Sequence, residues 1–112
     1  MAPNLVSYKQ QRNLQWREDD EGLLVLVSGS NDPRAIAAAV TGSVREGKRV
    51  RLRAIGASAV NQAIKGAAIS RAQVAESNEL TLLLSPWFQE LWDEKAEQRT
   101  TSMVLTVVIR PR

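Results

Sequence analysis

A chain of 112 residues that is 44% apolar, with 15 basic against 12 acidic side chains and a formal charge of +3, has the size of one domain with a genuine core. It contains neither cysteine nor histidine, which removes disulfides, thiolate chemistry, the commonest general base and the commonest metal ligand. No apolar run approaches the roughly 20 residues that span a bilayer, and the N-terminus lacks a signal-peptide pattern. The expectation is therefore a soluble, cytoplasmic protein that is not an enzyme and uses no cofactor, metal or membrane.

A domain this small is only marginally stable alone, which favours oligomerisation. The charge is unevenly spread. Residues 1–22 hold three basic and four acidic side chains, a net of −1, whereas residues 23–112 hold 12 and 8, a net of +4. The basic excess belongs to the part that patterns as folded.

Residues 1–22 show no sustained period and close on an acidic run and Gly22. They read as a flexible tail, with Tyr8 and Trp16 as the only large anchors should it dock. The folded domain is expected over residues 23–112. Residues 23–28 (LLVLVS) are a continuously apolar strand of the kind buried on both faces. A turn, Ser28 to Pro33, leads into a helix over 33–46, with Asn31 or Asp32 as the cap and Pro33 at the first helical position. Ile36, Val40 and Val44 form its apolar stripe, and Gly47 stops it.

Residues 48–55 (KRVRLRAI) alternate: Val50, Leu52 and Ala54 share one face, Arg49, Arg51 and Arg53 the other. Gly56 ends this strand and Ser58 is the expected cap of a second helix running to about residue 75. Val60, Ile64, Ala67 and Val74 read as its core stripe, and Ala59, Ala63, Gly66 and Ser70 as a second face of small residues. That small face predicts close packing, either on the first helix or on the same helix of a second subunit, which would make a homodimer.

Strands are expected over 78–84 and 101–109. Between them, residues 85–100 fit either a helix or an extension of a hairpin turning near 93–98. The order β-α-β-α-β-β, with right-handed crossovers, puts both helices on one face of a four-stranded mixed sheet, an α/β two-layer sandwich.

Parallel strands deliver both strand-to-helix turns to one edge of the sheet. That edge offers helix N-termini and backbone N–H groups, an arrangement that attracts phosphate. Arg34 and Arg53 stand beside these turns. Arg49, Arg51 and Arg53 run along about 13 Å of strand, either spaced to track a phosphate backbone or forming a solvated sheet face that resists edge-to-edge pairing; Lys65 and Arg71 can widen the patch from the second helix, unless Arg71 lies along the core or pairs with Glu76. Trp87, Phe88 and Trp92 can stack on unpaired bases or pack against protein; residues 85–100 carry four acidic and two basic side chains, which favours protein contact.

The stretch AIGASAVNQAIKGAAISRA, residues 54–72, resembles the stage V sporulation protein S family. The likeness extends through Val27-Ser28 and Val44-Arg45-Glu46 on one side and through Gln98-Arg99-Thr100 to Ile109-Arg110-Pro111-Arg112 on the other. Such proteins look like relatives of the Alba chromatin proteins, β-α-β-α-β-β dimers that bind DNA or RNA. By this resemblance the two turns and the final hairpin would face nucleic acid through Ser30, Asn31, Arg34, Arg53, Ser58 and Asn61, with Lys65 nearby. Where Alba proteins carry basic residues in the turns and hairpin arm, this chain has Asn31-Asp32-Pro33, Ala57 and an acidic arm. The resemblance implies a regulatory role in sporulation or a related process. The expected function is sequence-independent, salt-dependent binding of DNA or RNA by a dimer. The alternative is a protein-interaction module in such a pathway.

Overall fold

The computed structural model describes residues 14–112. The elements are β1 (Gln15–Asp19), β2 (Gly22–Val27), α1 (Pro33–Arg45), β3 (Val50–Ala54), α2 (Ala57–Asn78), β4 (Leu80–Asp93) and β5 (Gln98–Pro111). They form a five-stranded mixed sheet in the order β1-β2-β3-β5-β4. β2 and β3 are parallel, as the crossover through α1 requires, and the other pairings are antiparallel.

The core lies between one face of this sheet and the two helices. Leu23, Val25 and Val27 of β2 and Val50, Leu52 and Ala54 of β3 meet Ile36, Ala39 and Val40 of α1 and Ala59, Ala63 and Ala67 of α2. The alternation on β3 holds: its three apolar residues are buried and its arginines turn to the opposite, helix-free face. Leu24 is buried on that opposite face as well, so β2 is covered on both sides.

Three expectations are corrected. The sheet has five strands, because the end of the expected tail forms β1, paired with β2 from Gln15↔Leu26 to Asp19↔Gly22. Leu14 is buried and Trp16 packs against the core, which fixes the strand; Tyr8 lies outside the described residues. The turn back into β2 depends on Gly22, whose φ of +104° is left-handed and whose missing Cβ would run into the Arg49 carbonyl, the acceptor of the Leu23 N–H.

The second correction concerns α2. Ile64 is 44% exposed, whereas Ala59, Ala63 and Ser70 are buried. The small-residue face packs on α1 within the same chain. Gly66 lies against Ile36, and the Ser70 and Thr41 hydroxyls are 2.7 Å apart, with Gln73 Oε1 accepting from Thr41 at 2.7 Å. Small side chains let the helices approach closely, and the apolar Ile64 is left outside that contact.

Third, Ser58 does not cap α2. The N-cap is Gly56, at φ 88°, and among the described residues no side chain caps the helix. The choice left open over residues 85–100 falls to the hairpin: β4 and β5 pair without interruption from Leu80↔Pro111 to Asp93↔Gln98. Four-residue spacing in Trp87-Phe88-Gln89-Glu90-Leu91-Trp92 fits a strand equally, because every second residue then shares a face. The arm continues well past the end of β3, which pairs with β5 only as far as Ala54↔Met103.

Candidate functional site

The two strand-to-helix turns lie side by side. Gly29 sits directly against the Ser58 side chain, so a Cβ at residue 29 would overlap it. Gln62 Nε2 of α2 donates to the Asn31 carbonyl at 2.7 Å, tying the second helix to the first turn.

The two turns differ in what they offer an anion. At α1, Asp32 is the N-cap: its carboxylate accepts from the Arg34 N–H at 2.9 Å and from the Arg34 guanidinium at 2.9 Å. These contacts, the side-chain pairing first, hold the Asp32 carboxyl below the usual carboxylate range and raise the Arg34 pKa. The anion position of α1 is thus filled by the chain's own carboxylate. At α2 no side chain caps the helix, so its first-turn amides keep their capacity for an outside acceptor.

The remaining expected residues divide clearly. Asn31 is 2% exposed and its Oδ1 accepts from the Ser28 N–H at 2.7 Å, which makes it a strut of the turn. Ser30 is exposed beside Ser28, with the hydroxyls 3.0 Å apart. Ser58, Asn61 and Lys65 are exposed on the first three turns of α2. Arg71 is about 9 Å beyond Lys65 and about 20 Å beyond Ser58 along that helix by its rise, and its Nε donates to Thr81 Oγ1 at 3.2 Å. It does not join the rim. Nor does Arg49, which stands at the other end of β3.

The stripe itself is split. Arg51, 19% exposed, is paired with Asp19 at 2.9 Å and Glu21 at 3.0 Å. The Glu21 N–H and then Arg51 lower the Asp19 pKa. Nearby, Lys48 bridges Glu46 at 2.9 Å and Glu18 at 3.2 Å. The carboxylates of β1 and its turn therefore neutralise Arg51, the middle of the stripe.

Arg53 is different. Burial, then the charges of Arg17 and Arg51, push its pKa down from the usual arginine value, and among the described residues no carboxylate forms an ion pair with it. It lines an open groove of about 400 Å³ at the C-terminal ends of β2 and β3, with Gln15, Leu26, Ser28, Ile55 and Leu91. Sequence reasoning missed Gln15 and Arg17 as groove and charge neighbours because residues 1–22 read as tail. The signal was present as a period-two run, Leu14/Trp16 against Gln15/Arg17, ahead of a turn at Asp19–Gly22.

A family model described as stage V sporulation protein S matches residues 24–110, spanning β2 into the end of β5. The chain belongs to the stage V sporulation protein S family. Membership supports a sporulation-related role. The stage V sporulation protein S match begins at Leu24, so β1 and its carboxylates lie ahead of the matched segment. Among the described residues, no three His, Cys, Asp or Glu side chains are grouped to hold a metal, and no helix is long and apolar enough to cross a membrane.

Proposed function

We propose that this protein is a non-enzymatic, sequence-independent nucleic-acid-binding regulator that acts in a sporulation-related process. The observation that carries the reading is Arg53, half-buried at the head of the two turns and bordered by other arginines, with no neutralising carboxylate among the described residues. A phosphate supplies the missing counter-charge, and the uncapped first turn of α2, across the Gly29–Ser58 contact, offers its amides to a further one. Ser58, Asn61 and Lys65 border that start of α2, while Arg51 and Arg34 contribute less because their charges are already paired. Contacts of this kind position a backbone and read little sequence. A homodimer through the exposed, Ile64-bearing side of α2 belongs to the same proposal.

The test is binding of labelled duplex DNA and single-stranded RNA at two salt concentrations, with wild type and Arg53→Glu. Binding that falls steeply with salt and is lost in the variant supports the reading. Flat, weak signals from both proteins at low salt overturn it.

A second reading has its own observation. Phe88 and Trp92, on one face of the hairpin arm, are 72% and 62% exposed, amid acidic side chains. Such a patch suits a protein partner. That reading predicts salt-tolerant capture of a partner, lost on Trp92→Ala.

A further inference from the structure

The pairing registers place five residues in one row across the helix-free face: Gln15, Leu26, Arg53, Val104 and Trp87. Adjacent strands are about 4.8 Å apart, so the Arg53 and Trp87 backbones stand roughly 10 Å apart, with the buried Val104 between them. Trp87 is held in place by its own polar atom: Nε1 donates to Thr106 Oγ1 at 3.0 Å. The indole nevertheless remains 43% exposed. Leu91, four residues further along the same face of the arm, reaches the groove opposite Gln15.

From this row we infer that the open sheet face is a seat for an unpaired nucleotide, and that the preferred ligand is single-stranded nucleic acid. The inference rests on the nucleic-acid reading above and names its ligand class. Arg53 takes the phosphate, and Trp87 offers a fixed aromatic surface to the base. Beside Trp87, which does not itself line the groove, Leu26, Ile55 and Leu91 supply apolar walls around Arg53, with Gln15 and Ser28 as hydrogen-bonding groups. The groove volume of about 400 Å³ falls in the range of small-ligand sites. The charge is complementary: Arg17 and Arg51 are the charged neighbours that act on Arg53. A duplex cannot use this seat, because its bases are stacked on each other and only its phosphates reach the surface. An unpaired base has a free π-face, and stacking on an aromatic side chain tolerates any base.

The experiment compares short oligothymidylate with a duplex of equal length at one salt concentration. It uses wild type, Trp87→Leu, Trp92→Leu and Arg53→Glu. The single strand is expected to bind wild type the more tightly. Trp87→Leu should weaken the single strand on the order of tenfold and leave the duplex nearly unchanged, with Trp92→Leu close to wild type. In a Trp16→Phe/Trp92→Phe protein, fluorescence of the remaining Trp87 should be quenched by oligothymidylate, a readout that a misfolded variant would not reproduce. Equal affinity for both ligands, untouched by Trp87→Leu but lost in Arg53→Glu, overturns this inference and leaves the phosphate reading standing. No binding of either ligand at low salt overturns both.

Discussion

Arg51 and Arg53 sit two residues apart on one strand, on the same face of the same sheet, yet their surroundings are opposite. Arg51 is closed by Asp19 and Glu21; Arg53 has arginines for charged neighbours and a groove beside it. The two strand-to-helix turns repeat the contrast, since α1 carries its own carboxylate cap and α2 has no side-chain cap. Identical residue types at equivalent register thus differ in what they can bind. The deciding factor is whether the neighbouring chain segment brings an acid within reach.

The sharpest way to break this comparison is to remove each charge in turn. Arg53→Glu should lower nucleic-acid affinity by about tenfold or more and reduce the salt slope by about one, whereas Arg51→Gln should change affinity about twofold at most. Filter binding across a salt series checks both. If Arg51→Gln proves as damaging as Arg53→Glu, the intramolecular pairing does not mask Arg51.

The converse substitution sharpens the same point. Asp19→Asn with Glu21→Gln frees the Arg51 guanidinium, and affinity should rise several-fold with a steeper dependence on salt, by about one in the slope. A drop in affinity would show that these acids support the binding face by holding Arg51 in place.

The close approach of the turns gives a smaller, structural effect. Gly29→Ala forces the Ser58 side chain aside. Affinity should fall a few-fold with stability reduced by about 1 kcal/mol, and Ser58→Gly in the same protein should restore both. A double-mutant cycle by titration and thermal melting measures the coupling.

The smallest effect is in pH. The Asp19 pKa is depressed, first by the Glu21 N–H and then by Arg51. A depressed folded-state pKa means that the pair's contribution is present above the ordinary carboxylate value and is lost as pH falls through the folded one. The masking of Arg51 is therefore constant near neutrality and fails only under acid. A carboxyl titration by NMR should place the Asp19 midpoint below the usual range, and Arg51→Gln should raise it only part of the way, since the Glu21 N–H remains.

The legible parts of this fold were those governed by local rules. Alternation along β3 told which side of the strand meets the core, Pro33 marked the first residue of α1, and the β-α-β order settled the parallel pairing. Glycine after β3 correctly ended the strand, but the cap was misassigned to Ser58, because a serine near a helix start satisfies the same pattern whether or not its hydroxyl reaches an amide. The rim residues Ser30 and Ser58 lie where the turn pattern put them. Asn31 belongs to the same turn yet is consumed in supporting it.

By itself the sequence determined the family, through its resemblance over residues 54–72, and also the order of the elements from β2 onward, the apolar side of β3 and the arginine stripe, because these last three follow from residue type and period. Tertiary structure decided that carboxylates close Arg51 while Arg53 lines a groove, that residues 15–19 complete the sheet, that the small face of α2 serves the chain's own α1, and that residues 85–100 form an extended arm. In each case the deciding partner is a side chain or strand distant along the chain, such as Asp19, 32 residues from Arg51, or Thr41, 29 residues from Ser70. Local periodicity carries no information about a partner until folding brings it alongside.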